Sequence, residues 1–479
     1  MAESCQLNKS AITTVRSEFI AEWSLKKAPE KKREKRESDV FHWNKDAMSV
    51  YDVCRGIGQH LSGQKYTFYE EQTYNLCRIN RQVKGISLIT RGKDLSSYLA
   101  LDFNYKRGYE NDDGDFFSAD GFQLVPPAVC DTFLLDVAGF SELRKLKLYT
   151  TSPVLSAKQL IATPGYHEAA AIYYDGEDIV PAEGIKHITM ALNFPYEREN
   201  GFTDTLGLLI GAVLLRDDFT GNHPAGIIRG DHPNLRKTTL AKTISYISTG
   251  RLPGTLCYTE DDLEFEKRVG SHIRKNDFLL IDNIKSTRQI NSPFLEEALT
   301  SEIIETRILG QSEIMSKRNN IQFFATLNEG SICEDLLTRS VTIFLTHEKK
   351  KTIRDPLAYA RKHRREILAE IIGMVKNWQA AGCPVEHVHF PKYMEWAALV
   401  NGILRANGIS GFLSGHRDDC AKLNPEISVL VEVGGAELSG SSSDRTDARP
   451  SSYWRSRIEE FDPRFFRDVS TSRGKDSRT

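Results

Sequence analysis

The chain has 479 residues, 40% of them apolar and 27% charged, and its formal net charge is −2. This length exceeds one ordinary core and implies two or three domains of globular composition. No apolar run approaches the length a bilayer requires, and the near-neutral charge leaves nucleic-acid recognition to a local patch.

The amino-terminal MAESCQLNKS lacks a basic-then-apolar signal pattern. Residues 1–42 are polar and basic, and KKAPEKKREKRES, Lys26 to Ser38, reads as a solvated charge run. Residues 43–125 alternate polar and short apolar segments and predict a small α+β domain. Within it ENDDGD, Glu110 to Asp115, reads as a loop, because the regular ligand spacing and final Glu of a calcium loop are missing. Residues 126–193 form an accessory segment with a short helix, a strand and a turn at Pro164-Gly165. Residues 194–350 alternate helical and strand patterns, as a parallel α/β sheet does. Residues 351–424 are helical: one helix over Pro356 to Ala381 closed by Gly382, and a second over Pro391 to Asn407 closed by Gly408. Residues 425–479 are Ser/Gly-rich and read as a disordered tail. The eight cysteines contain no CxxC pair, which points to a reducing cytoplasm and away from a thiolate metal cage.

The chemistry concentrates in the 194–350 segment. Ala225 to Arg229 is a short apolar strand, Thr239 to Ile247 reads as a helix, and between them a tight loop ends in Lys237-Thr238-Thr239. Strand, loop, Lys-Thr, helix is the layout of a phosphate-binding loop. Helix-start N–H groups point at the anion and the helix dipole favours it. Lys237 neutralises β/γ oxygens and the Thr238 hydroxyl ligates Mg²⁺ in such a loop. The pattern G-x-x-x-x-G-K-[ST] is only partly kept: Asp231 and Arg236 stand at the two glycine positions, Gly230 is one residue early, and Asn234 stands where a further glycine is common. By itself this is a weak match, and a Lys-Thr-Thr helix start without a ligand is its rival.

Three later segments add to it. Phe278 to Ile281 is an apolar strand ending in Asp282, the arrangement that holds a Mg²⁺ shell. Asn283 follows, and an amide cannot act as general base. Glu296 and Glu297 are candidates for that role, with solvated helix charges as the preferred reading. NIQFFATLNEG is a third strand ending in Asn328, a polar residue placed to orient an attacking water. Arg339 precedes a further strand, Val341 to Leu345; on spacing it is equally a finger toward a neighbouring subunit or a surface salt bridge. Elsewhere, CPVEHVH (Cys383, His387, His389) lacks a fourth zinc ligand and reads as a loop leading into a strand, and RKHRRE (Arg361 to Glu366) reads as a solvated helix face.

The ordered set resembles the AAA+-type P-loop ATPase module of primase–helicase and replication proteins of bacteriophages and integrated mobile elements. The resemblance covers roughly Pro126 to Leu413. It is carried by SPVLSAKQLIATPGYHEAAAIYY, GDHPNLRKTTLAKTI, FLLIDNI, PFLEEALTSEIIETRILGQSE, FFATLNEGSICEDLLTRSVTIFL and WAALVNGILRANGISGFL. It implies ATP and Mg²⁺ as ligands, ring-forming homo-oligomers and work on DNA during replication. Gly230, Pro233, Asn234, Arg236, Lys237, Thr238 and Thr239 fall on its phosphate loop, and Thr238 and Asp282 on its metal positions. Asp282, Asn328 and Arg339 fall on its catalytic positions, and Arg307 matches a further family arginine. GDHPNLRKT replaces the usual GNQPGLGKT, and ATLNE replaces ATGNN, which puts hydrolysis in doubt. The first 125 residues contain no primase-like acidic or zinc-binding cluster, so priming is not expected. The expected fold is therefore a P-loop α/β parallel-sheet core with an N-terminal α+β domain and a C-terminal helical region. Its expected role is that of a DNA motor or loader, the alternative being a degenerate relative that hydrolyses weakly and serves as a structural or regulatory partner.

Overall fold

The computed structural model describes residues 40–82, 84–118, 121–219, 223–230, 232, 234–273, 276–284, 289–307, 314–328, 331–347 and 355–416. The 425–479 tail and nearly all of the 1–42 segment lie outside these. The described chain divides into two compact units, one of residues up to His60 with Arg91–Leu135, the other of Leu61–Thr90 with the chain from Asp136. Residues 61–90 of the 43–125 segment thus belong with the second unit.

The first unit is α+β. Val40–Asn44 pairs in parallel with Asn104–Glu110, which pairs antiparallel with Phe116–Ser118. Helices Val50–Ser62, which runs in this unit to His60, Gly92–Leu99 and Pro127–Leu135 accompany the strands. The ENDDGD loop closes on itself: Asn111 Oδ1 accepts from the N–H of Asp113 at 3.1 Å and of Asp115 at 2.7 Å, an Asx-type turn.

The second unit is built on five parallel strands: β1 (Ala225–Gly230), β2 (Gly254–Leu256), β3 (Phe278–Ile284), β4 (Gln322–Leu327) and β5 (Ser340–Leu345). Their spatial order is β2-β3-β4-β1-β5, and every pairing is parallel. Continuous apolar runs such as FLLI and QFFATL form these strands because both faces of the sheet are covered. Successive side chains alternate faces. Ile228, Leu280, Phe324 and Ile343 enter one core, while Ile227, Leu279, Ile281 and Phe323 enter the other. Each fully buried side chain of this size contributes roughly 1.5–3 kcal/mol.

The first core is closed by α1 (Gly201–Leu214), α2 (Lys237–Thr249) and the carboxyl-terminal helices; the second by α3 (Asp262–Ile273), α4 (Pro293–Ala298) and α5 (Glu334–Thr338). Helix α1 is buried at every position but Phe202, so it lies between the sheet and the carboxyl-terminal helices. A Cβ on its Gly211 would sit 2.5 Å from the Trp396 ring, so the glycine permits that close approach. The helix expected over Pro356 to Ala381 is two helices, α6 (Pro356–Lys362) and α7 (Arg364–Ala380), separated at His363 with φ −116° and ψ 25°. Apolar periodicity runs through the break and is blind to one non-helical residue. The second expected helix is a 3₁₀ turn, Pro391–Tyr393, followed by α8 (Met394–Ala406), and Gly382 and Gly408 both take the expected positive φ. A smaller mixed sheet, Gly85–Ile89, Leu76–Asn80, Thr67–Glu70 and Arg144–Leu146, belongs to the same unit. Among the described residues no helix is long and apolar enough to cross a membrane.

Candidate nucleotide site

Strand β1 ends at Gly230 and α2 begins at Lys237, so the connecting loop stands at the carboxyl edge of the sheet, where parallel α/β folds place ligand clefts. Gly230 is held by space rather than by dihedral. A Cβ there would lie 2.5 Å from Leu235 Cδ1 and 2.9 Å from the Leu345 carbonyl. Asn234 (φ 67°) and Arg236 (φ 64°) are both left-handed, at two of the three positions where glycine was expected and is missing. The loop therefore keeps the glycine backbone without the glycines, at a cost of roughly 1–2 kcal/mol for each non-glycine residue, less for Asn. Asp231 and Pro233 lie outside the described residues.

Lys237 is 8% exposed. Its ammonium turns back into the loop, donating to the carbonyls of His232 at 2.8 Å and Gly230 at 3.5 Å. These carbonyls occupy donors that a phosphate would otherwise take. The Thr238 hydroxyl donates to Asp282 Oδ1 at 2.9 Å, joining the loop to β3. The same oxygen accepts from the Thr326 hydroxyl of β4 at 2.5 Å. The cleft is lined by Asn234, Leu235, Arg236, Lys237, Thr238 and Thr239, with Asp282, Thr326, Leu327 and Asn328 opposite. Six of the predicted residues, Asn234, Arg236, Lys237, Thr238, Thr239 and Asn328, thus meet Asp282 around one space.

Two features of this site were not read from the sequence. Thr326 lies two residues before Asn328, the spacing that returns side chains to one face of a strand, and that alternation was the available signal. The second is a register shift between Ile281 and Ile284 where β3 pairs with β4: Ile281 faces Ala325 but Ile284 faces Leu327. One extra residue in β3 at Asp282-Asn283 makes a bulge, a device that re-aims side chains beside sites. No local pattern in FLLIDNI announces it.

Arg339 is not in the cleft. It precedes β5, at the amino edge of the sheet, and its guanidinium is bound within its own chain. It donates to Asp335 Oδ2 at 2.6 Å and to the Glu296 carbonyl of α4. Glu296 accepts from the Cys333 thiol at 3.2 Å, and neither Glu296 nor Glu297 lines the cleft. Arg307 ends the antiparallel hairpin Ile303–Arg307/Ile314–Arg318 and is exposed. In the RKHRRE run, Arg364 is structural, donating to the Tyr246 and Ile247 carbonyls at the end of α2 at 3.1 and 2.9 Å, while Arg365 pairs with Glu177 at 3.3 Å. Cys383, His387 and His389 lead into the 3₁₀ turn rather than a strand. No cluster of three or more His, Cys, Asp or Glu suited to a metal occurs among the described residues.

The cleft's donor set suits a hard cation and an anion side by side. Two hydroxyls and a carboxylate offer oxygen, as Mg²⁺ prefers, and Lys237 with the first N–H groups of α2, which have no partner within the helix, offers positive charge.

No protein-family model and no curated protein matches the chain. Among solved structures it is similar to the apo A form of the NrS-1 C-terminal region, with TM-score 0.41 and 10% identity over 83% of each chain. A 305–718 form of that region gives 0.37 and 10% over 87% of this chain and 86% of that one. The structure titled SCCmec type IV Cch, active helicase, gives 0.33 and 11% over 81% and 80%. Likeness at this level carries no functional argument, and the site's own geometry has to supply it.

Proposed function

We propose that the chain binds ATP with Mg²⁺ in this cleft and is an AAA+-like ATPase, working on DNA as a homo-oligomeric motor or loader. The observation that carries the nucleotide reading is the 2.9 Å contact of Thr238 with Asp282, one residue after the lysine that opens α2. It brings the two metal positions of the motif together from separate segments. Lys237 and the α2 N–H groups would hold the β/γ-phosphates, Lys237 exchanging its loop carbonyls for phosphate oxygens. Thr238 and Asp282 would hold Mg²⁺, and Thr326 orients Asp282. The bound metal supplies charge neutralisation at the phosphates. DNA and the oligomer rest on the ordered family-like segments alone.

A second reading, nucleotide binding with little hydrolysis, is favoured by the two left-handed non-glycine residues and by an amide, Asn283, directly after Asp282. ATP turnover by the wild type, Lys237→Ala and Arg236→Gly, each with and without DNA, separates the readings. The motor reading expects DNA-stimulated turnover that Lys237→Ala abolishes. Turnover that appears only after Arg236→Gly overturns it and supports the second. Absence of Mg²⁺-dependent ATP binding by the wild type overturns both.

A further inference from the structure

The carboxylate of the nucleotide cleft sits on an irregular stretch of the sheet. The last regular pairs of β3 with β4 are Leu280 with Phe324 and Ile281 with Ala325, and pairing resumes at Ile284 with Leu327. Between them β3 holds two residues, Asp282 and Asn283, while β4 holds one, Thr326. The bulge therefore lies opposite Thr326. Ladder pairing is interrupted there, and pairing is what fixes the face that each strand residue takes. A slip of one residue in β3 would carry the carboxylate out of the cleft.

Side chains supply the restraint that the ladder lacks. Leu280 and Phe324 enter the core that α2 closes, and alternation puts Asp282 and Thr326 on that same side. Thr326 is 3% exposed, and from β4 its hydroxyl donates to Asp282 Oδ1 at 2.5 Å. From α2 the Thr238 hydroxyl donates to the same oxygen at 2.9 Å. In a loaded site Thr238 also serves the metal, whereas Thr326 serves the carboxylate. Nothing in the strand asks for a hydroxyl. Phe323, Phe324 and Ala325 precede Thr326 and Leu327 follows it, and a valine of the same shape suits a covered parallel strand equally well.

We propose that Thr326 is a positioning residue: it pins the bulge with Asp282 facing the cleft and thereby sets how much Mg²⁺ the site needs. This rests on the nucleotide reading above, and binding rather than turnover tests it. The full chain is titrated with Mg²⁺ in the presence of fluorescent N-methylanthraniloyl-ATP, beside a measurement in EDTA. Hydrogen-bond partners of metal-site residues are worth about 10–100-fold in metal affinity. Thr326→Val keeps the volume and Thr326→Ala gives it up, yet both are expected to raise the Mg²⁺ midpoint about tenfold. Either variant suffices should the other not fold. Thr326→Ser is expected to restore the wild-type midpoint, and nucleotide affinity in EDTA is expected to be the same in all four proteins. A packing role alone would instead move the urea midpoint, more in Ala than in Val, and leave the Mg²⁺ midpoint in place. An unchanged Mg²⁺ midpoint in Val and Ala, failure of Ser to restore it, or equal losses with and without Mg²⁺ overturns the proposal and leaves the nucleotide reading standing. A wild type that binds without any dependence on Mg²⁺ overturns both.

Discussion

Arg236 stands immediately before the phosphate-loop lysine with φ 64° and ψ 26°, and its side chain makes no capping hydrogen bond to α2. An L-residue with a Cβ pays roughly 1–2 kcal/mol for that conformation, while glycine pays about 0.4–1 kcal/mol through the greater freedom of its unfolded chain. The difference favours glycine, which is also acceptable at a helix N-cap. Arg236→Gly is therefore expected to raise unfolding free energy by about 0.5–1 kcal/mol, read from the urea midpoint at unchanged slope. Asn234→Gly, at φ 67°, should be nearly neutral, because Asn tolerates the left-handed region. A loss of stability in Arg236→Gly would mean that contacts of the arginine side chain outweigh the backbone strain. The same residue marks what the sequence could and could not tell. The missing glycines were visible, and with them the strain. Whether the backbone would keep the glycine conformation or rearrange depends on neighbours such as Leu235 against Gly230, which no spacing encodes.

Helix α2 is fixed at both ends. Its first turn is tied to β3 through Thr238 and Asp282. At its last turn Arg364 Nε serves the Tyr246 and Ile247 carbonyls, and its NH2 reaches the Thr151 carbonyl at 3.2 Å and Ser152 Oγ at 2.7 Å. A cation at a helix carboxyl end also complements the dipole. Arg364→Ala removes a donor shared by the Tyr246, Ile247 and Thr151 carbonyls and Ser152 Oγ, although Tyr246 keeps the Gly250 N–H at 2.8 Å, and a loss of about 1–3 kcal/mol is expected. Lys, a single point donor, should recover only part of it, because the fork is what spans both carbonyl groups. Full rescue by Arg364→Lys in chemical denaturation would refute the fork argument. The strands were legible for a related reason: FLLID and QFFATL are apolar on both faces, and only a covered parallel sheet wants that. Their order was not. Nothing in the text of β4 says that it lies between β1 and β3, and it is this insertion that brings Thr326 onto Asp282. The break at His363 was equally silent, being made by dihedrals of one residue inside an unbroken apolar rhythm.

On the scale of the whole molecule, acid should be the solvent condition that tells most. Burial, with Arg216 and Arg318 adding repulsion, holds His223 down at about 3. Burial, with His389, holds His416 down at about 4. An exposed histidine in the unfolded chain titrates near 6.5. Below that pH the unfolded state binds protons that the folded state refuses, so stability is whole above about 6.5 and falls as pH drops toward these lower values. Two such groups set a limiting slope of about 2.7 kcal/mol per pH unit, about 1.4 for each. Asp277 does not contribute in that window. Burial alone would raise its carboxyl, but Lys317 and Arg216 outweigh it and hold it below the usual range, so its loss begins only as pH falls through about 4. His223 also leaves Nε2 buried without a hydrogen-bond partner among the described residues, so an apolar replacement of similar size forfeits little at neutral pH. His223→Leu is accordingly expected to match the wild type at pH 7.5 and to lose stability about half as steeply between pH 6 and 4, measured by urea midpoints across that range. An unchanged slope would place the proton uptake elsewhere. A variant already unstable at pH 7.5 would mean that the imidazole packs beside Arg216 and Arg318 in a way that leucine cannot reproduce.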